Sequence, residues 1–350
     1  MPQNLRPKKF RATIKDVAAK AGVSIATVSR VMAGLAGAGA EVRGRVMAAV
    51  DELKYQPDLS ARGLRARQRK LIGLVLPDLQ NPFFTGLAHG VEDVLCDAGF
   101  TLLLGHSDGR AEREKRHFEV FHGEGVAGLV LVPSNAPEAD YSALAAWNMP
   151  LVAVDRAPRG LGVDLVNTNN RESSREAVGH FLSLGYRRIA LVNGPAGYDV
   201  SAERLAGAQE ALVAAGLSPE TLSVVNADFH QEGGLEAMRA LLAAGKPPRA
   251  VLIANNLMTL GALQALHERR LRIPEDVAVI GFDDMPWATS LRPPLTAVAQ
   301  PAEELGRTAA GLLLERLVEP ARPVRQIILR NHLCIRASCG APGPSRKLQP

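Results

Sequence analysis

Two stretches of this 350-residue chain hold residue types at spacings that could do chemistry. The first is Gly105-His-Ser-Asp-Gly109, a G-x-S-x-G pattern that falls after an apolar run and before a helical one. On such a turn Ser107 could serve as a hydrolase nucleophile. Asp283 and His332 follow in the right order for a triad, although nothing in the sequence around them singles them out. The second stretch, residues 13–32, reads TIKDVAAKAGVSIATVSRVM, and its chemistry would be hydrogen bonding to DNA. It lies in the basic part of the chain. Of the 41 Lys and Arg residues 15 occur through Lys70, with 5 of the 36 Asp and Glu, so the head carries +10 and the remainder −5. Such a head suits a polyanion, either DNA or an anionic membrane surface.

Other chemistries lack their residues. There is no GxxxxGK[ST] loop, no G-x-G-x-x-G after a strand and no HExxH, which argues against nucleotide enzymes and zinc proteases. Cys96, Cys334 and Cys339 have no partner spacing for a zinc site and cannot all pair within one chain, so reduced thiols are expected. No cofactor or metal is expected. No run approaches 18 uncharged apolar residues, and MPQNLRPKKF lacks the apolar segment of a signal peptide, so a cytoplasmic protein is expected. With 47% hydrophobic and 22% charged residues, the composition is that of a globular protein of two or three domains rather than a disordered chain.

Elements able to position these groups follow from the hydrophobic pattern. From residue 71 onward, short apolar runs alternate with amphipathic helical stretches, the signature of βαβ units and a parallel sheet covered on both faces. Strands are predicted at 71–76, 100–104, 128–132, 151–154, 188–192, 223–226, 250–254 and 277–281. Helical patterns between them include 86–98, 171–184, 202–215 and 257–269. Eight strands are many for one compact layer, and the spacing looks like two similar halves, 71–167 and 168–297. A cleft between the halves, at the carboxyl ends of the strands, is where a ligand would sit.

Within the head, Thr13 and Asp16 can form a capping box. Ile14, Val17, Ala18 and Ala21 then give the first helix one apolar face, and Gly22 supplies the left-handed turn that ends it. Val23 fills the corner. Ser24 caps a second helix whose Val28 and Val31 face inward while Ile25, Ala26, Ser29 and Arg30 face out toward a major groove.

The stretch ATIKDVAAKAGVSIATVSRVMAG followed by YQPDLSARGLR resembles the head of the LacI-type (LacI/GalR) bacterial transcriptional regulators. The likeness runs over about residues 11–338: NPFF from Asn81, VDR ending at Arg156, ERLAG from Glu203, GFDD from Gly281 and PPLTAVAQP from Pro293 are similar to family landmarks in the same order. The resemblance implies an all-α helix-turn-helix head (11–57), a hinge helix and linker (58–70) and an α/β two-lobed body of the type I periplasmic-binding-protein kind (71–338). Lobe one would comprise 71–167 and 298–323, lobe two 168–297 and 324–338, with crossings near Asn167, Ala297 and Val324. A loose tail (339–350) would follow. It implies a third helix near 42–53, with Val46, Val50 and Leu53 inward, preceded by GLAGAGA, which lacks a Ser or Thr cap.

Site residues follow from the same resemblance. Ile25, Ala26 and Arg30 would read bases, and Thr13, Ser24, Thr27 and Ser29 would meet phosphates. In the hinge, Arg62 would contact phosphate and Leu64 would wedge into the minor groove, while Gly63 weakens that helix by about 0.5–1 kcal/mol. Phe83, Phe84, Asp155, Arg156, Arg204, Phe229, Asn255 and Asp283 would line the effector cleft, with Tyr198 and Val200 on a ligand-selecting loop. A guanidinium fork from Arg204, acceptors on Asp155, Asn255 and Asp283, and ring faces on Phe84 and Phe229 suit a sugar or sugar derivative. The implied protein is a repressor: a homodimer on a near-palindromic DNA operator, nucleoid-associated when bound, with no membrane partner. The alternatives are the serine hydrolase above and a solute-binding protein, which would need a signal peptide and no basic head.

Overall fold

The computed structural model describes residues 12–32, 38–55 and 70–341. The chain divides into two compact units, Met1–Arg69 and Lys70–Pro350. The predicted hinge helix, with Arg62, Gly63 and Leu64, lies outside the described residues.

In the first unit, α1 (Ile14–Ala21), α2 (Ile25–Met32) and α3 (Ala40–Glu52) enclose a small core of Val17, Ala18, Ala21, Val28, Val31, Val46, Ala49 and Val50. Helix α1 ends at Gly22 with φ 63°, a left-handed conformation that glycine adopts without a Cβ penalty. Helix α3 starts at Gly39 with no side-chain cap, as its glycine-rich approach predicts.

The second unit holds two six-stranded sheets. The strands of the first lobe are β1 (Leu71–Leu76), β2 (Thr101–His106), β3 (Gly128–Leu131), β4 (Leu151–Val154) and β5 (Asp164–Thr168), interleaved with α4 (Pro82–Asp97), α5 (Ala111–Glu124) and α6 (Ser142–Ala146). The second lobe repeats the plan with β6 (Ile189–Asn193), β7 (Ser223–Asn226), β8 (Ala250–Ile253), β9 (Ala278–Phe282) and β10 (Thr296–Ala299), and with α7 (Asn170–Ser183), α8 (Asp199–Ala214), α9 (Gln231–Ala243) and α10 (Asn256–Glu268). The chain then runs through α11 (Ala302–Val318), β11 (Gln326–Leu329) and β12 (His332–Cys334). Sheet order is β11-β5-β4-β3-β1-β2 in one lobe and β12-β10-β9-β8-β6-β7 in the other, so each has the same switch point, between β1 and β3 or between β6 and β8. All pairings are parallel except β10 with β12. The central strands are apolar on both faces because helices cover both: α4 and α11 on one side of the first sheet, α5 and α6 on the other.

Four of the twelve strands, β5, β10, β11 and β12, were not among the eight predicted. They are short or carry polar residues, and they carry the three crossings. The first crossing follows Thr168 and the second follows Ala299. The third does not lie near Val324. Gln326–Leu329 still pairs with β5 in the first sheet, so the chain enters the second lobe only after Leu329, and residues 326–329 belong to lobe one rather than lobe two. Residues 298 and 299 likewise stay in the second sheet. Position 339, expected to open a loose tail, is packed instead: Cys339 is fully buried in the second lobe's core, beside His180.

Candidate DNA-reading face and effector cleft

On the head, packing decides which side chains remain free. Val28 and Val31 turn inward, which leaves Ile25, Ala26 and Arg30 exposed along α2 and Ser29 half-buried. Ile25 is 40% exposed, so its apolar surface is free for contact. The hydroxyls are partly engaged. Ser24 Oγ accepts from the Thr27 N–H at 3.1 Å and lies 2.9 Å from Thr27 Oγ1, so one of the two hydroxyl protons is spent within the pair. Thr13 donates both its N–H and its hydroxyl to Asp16, at 2.8 and 2.7 Å, and these bonds hold the Asp16 carboxyl below the usual range. The Thr13 hydroxyl is therefore committed to the cap.

In the body, all eight expected cleft residues line one cavity of about 680 Å³ between the lobes, part of it continuous with solvent. That size fits a small organic ligand. Asp155 follows β4, Asn255 follows β8 and Asp283 follows β9, each at a carboxyl end. Of eight described non-glycine residues with positive φ, four line this cleft: Asp108, Asp155, Phe229 and Asp283. Left-handed backbone costs such residues about 1–3 kcal/mol, and it concentrates at functional sites.

Buried charges dominate the inner wall. Arg204, on α8, is 3% exposed; its Nε donates to Asn170 Oδ1 at 2.8 Å, its Nη1 donates to the Ala254 carbonyl, and its guanidinium lies 4.1 Å from the Phe282 ring. The fork expected of Arg204 is thus mostly occupied, and among the described residues only Nη2 makes no hydrogen bond. Burial pushes the Arg204 guanidinium down, against the pull of Asp283 and Asp155. Burial pushes the Asp283 carboxyl above its usual range even though Arg204 and the hydrogen bond from Gln300 lower it. Asp283 Oδ1 accepts from Gln300 Nε2 at 2.6 Å, and Oδ2 accepts from the Asn256 N–H and Nδ2, both at 3.2 Å. Asn255 is also engaged, with Oδ1 capping α10 at the Met258 N–H and Nδ2 donating to the Phe229 carbonyl, each at 2.8 Å.

Three contacts join the lobes around the cavity. Asn256 Nδ2 donates to Asn81 Oδ1 at 2.8 Å, Arg159 donates to the Gly197 carbonyl at 3.1 Å, and Arg156 stacks 4.6 Å from the Tyr198 ring. Phe83 and Phe84 meet edge to face at 5.1 Å on one wall, and Phe229 lies 6.1 Å from Tyr198 on the other. Asn81 and Gln300 line the cleft and Asn256 supports it from behind, and none of the three follows from the sequence alone. Asn81 and Gln300 sit inside NPFF and PPLTAVAQP, but their roles depend on partners more than 100 residues away.

The hydrolase arrangement is not assembled. Ser107 is fully buried, its hydroxyl donates to the Leu76 carbonyl at 3.3 Å, Asp283 belongs to the Arg204 cluster, and His332 is an exposed residue of β12. Among the described residues no helix is long and apolar enough to cross a membrane.

Comparison with known proteins agrees with this geometry. The pattern of bacterial regulatory proteins of the lacI family matches residues 13–58, and that of the periplasmic binding protein-like domain matches residues 178–339. The ribose operon repressor of Escherichia coli (strain K12) is 34% identical over 328 residues, 93% of this chain and 99% of the relative. Among solved structures, the transcriptional regulator CelR in complex with cellobiose is 34% identical with a TM-score of 0.71, covering 94% of this chain and 100% of that one. The lac repressor dimer bound to operator and the anti-inducer ONPF is 28% identical with a TM-score of 0.80, covering 94% and 99%. A helix-turn-helix head, a two-lobed body and similarity over nearly the full length of these proteins lead to one conclusion: the chain belongs to the LacI family of bacterial regulatory proteins, DNA-binding transcriptional regulators and not enzymes.

Proposed function

We propose that the protein is a homodimeric repressor whose hold on a near-palindromic operator is set by a sugar or sugar derivative bound between its lobes. The site is the cytoplasm, with the protein on the nucleoid when DNA-bound. On the head, Arg30 donates to a guanine edge, Ile25 and Ala26 cover thymine methyls, and Ser24, Thr27 and Ser29 meet phosphates, with the Thr13 cap holding α1 in register. The hinge residues Arg62 and Leu64 complete the contact at the central minor groove. Domain limits of 11–57, 58–70 and 71–338 accompany this reading, with the lobe crossings adjusted as above.

The observation that carries the effector reading is the convergence of Asp155, Asn255, Asp283, Arg204 and the rings of Phe84 and Phe229 on one cavity, framed by backbone in left-handed conformations. Arg204 contributes through Nη2, while Phe83 and Arg156 close the walls. Relatives support it: one is named for the ribose operon and another was solved with cellobiose. The dimer is supported by the operator-bound neighbour and by the free edges of β2 and β7, which expose Leu104 and Val224.

Fluorescence anisotropy with an operator selected from a random library tests the reading. Affinity should fall steeply with salt, because each phosphate neutralised by the head releases counterions. It should also change on adding one member of a panel of pentoses, hexoses and their derivatives. A flat salt response refutes the DNA mode, and an operator affinity indifferent to every panel member refutes sugar control.

A further inference from the structure

Arg156 is the anomaly of the cleft. It lines the cavity at 5% exposure, yet among the described residues none of its guanidinium nitrogens donates a hydrogen bond. Nε and Nη1 are buried without a partner. Among the described residues its one ion pair is with the neighbouring Asp155, at 3.3 Å from Nε to Oδ2, and that contact does not have hydrogen-bond geometry. A buried guanidinium has five N–H groups to satisfy, and leaving them unmade is costly.

Apart from Asp155, the acids around it are already engaged. Glu114, buried on α5, accepts at Oε1 from the Ser134 N–H at 2.7 Å and at Oε2 from the Ser134 hydroxyl at 2.8 Å. Asp283 is held by Gln300 and Asn256, and Asp108 at the rim is paired with Arg113 at 3.0 Å. The second cleft arginine, Arg204, differs in this respect, because Asn170, the Ala254 carbonyl and the Phe282 ring occupy it. Stacking on Tyr198 from the opposite lobe holds the Arg156 plane in place without using any N–H.

We propose that Arg156 receives a carboxylate or phosphate of the effector, so that the protein responds to an anionic sugar derivative, a sugar acid or sugar phosphate, in preference to the parent neutral sugar. This rests on the sugar reading of the cleft. An oxyanion concentrates several acceptor lone pairs at one place, which is what a guanidinium with no hydrogen bonds requires, and charge-assisted bonds to it are roughly twice as strong as neutral ones. Because Tyr198 belongs to the other lobe, an anion placed here is bound by the closed arrangement.

The test uses the full-length chain and isothermal titration with matched pairs: D-gluconate against D-glucose, and ribose 5-phosphate against D-ribose, with inorganic phosphate as a further probe. The expected result is that in at least one pair the anion binds about tenfold or more tighter than its neutral partner. In Arg156→Met that gap should shrink to about threefold or less, and Arg156→Lys should restore part of it as a point charge. The wild-type comparison decides even if a variant fails to fold. Neutral members binding as well as or better than anions would overturn the proposal and leave the sugar reading intact. Phosphate alone competing with a bound sugar acid would support it. Silence from every sugar, in a protein that still binds operator, would overturn the sugar reading and this proposal together.

Discussion

The head and the cleft treat charge in opposite ways. On the head the charged groups stay at the surface: Lys20 and Glu52, which pair across α1 and α3, are 39% and 66% exposed, and Arg30 faces outward from α2. In the cleft and at the base of the first lobe they go inside. Arg204 and Asp283 are 3% and 4% exposed, and at the base of the first lobe Asp164 is fully buried between Arg316 and Arg322. Exposed charges are screened and contribute little to stability, so they are free to exchange water for phosphate. Buried charges must find partners with good geometry, and each then holds distant segments in place. A surface that meets a large polyanion and a pocket that must fit a small ligand thus arise from different placements of the same residue types.

The contrast breaks most visibly at Asp164. Burial pushes this carboxyl up, but hydrogen bonds from Arg316, the Arg325 N–H and Arg322 outweigh it and hold the group below the usual range. Asp164→Asn strands two arginines in the interior and should cost about 3–5 kcal/mol, read by urea unfolding of the body. Glu52→Gln on the head, by contrast, should give a curve that overlays the wild type. A small loss at Asp164 would show that the pair is not what ties the start of β5 to the approach of β11.

Next in size is Val28→Ala. Among the described residues the head's core has eight buried members, so emptying part of it should cost about 2 kcal/mol. The effect should appear as an earlier melting of the helical head, while the body's transition stays in place. Ser24→Ala should follow at about 1 kcal/mol, the usual value of a lost N-cap, again confined to the head and seen by hydrogen exchange at the α2 amides.

The smallest expected effect is an exposed pair in the body. Hydrogen bonds from Arg272 hold the Asp276 carboxyl down at about 2, against an ordinary 3.8. A lowered folded pKa stabilises above the unfolded value, so this contribution is complete above pH 3.8 and is lost as pH falls toward 2. Asp276→Asn should flatten the stability profile within that window and leave it unchanged near neutrality.

Much of this was legible in the residues. Eight strands, the capping box at Thr13 and Asp16, the turn at Gly22, the inward Val28 and Val31, and the uncapped start of α3 all follow from local periodicity and turn chemistry. The crossing strands were not legible. DLVNT lacks the continuous apolar signature because its polar residues bond to other segments, Asp164 to Arg316 and Arg322 and Thr168 to Gln300, and HLC is only three residues long with an exposed His332. Cys339 was assigned to a loose tail because a lone cysteine near a polar terminus carries no periodicity. It is core because η-turn residues 337–339 tuck it against His180.

The sequence alone therefore determined what depends on neighbours a few residues apart: the helices and the central strands, where the head's recognition face lies, and which residues follow those strands as cleft candidates. Only the tertiary structure decided which of their polar atoms remain available. Arg204 and Arg156 are the same residue type at similar landmarks, yet one is satisfied by Asn170 and Ala254 and the other donates no hydrogen bond. The reason is physical: a hydrogen bond depends on distance and direction between atoms brought together by packing, and the partners of a buried guanidinium lie 34 and 50 residues away along the chain.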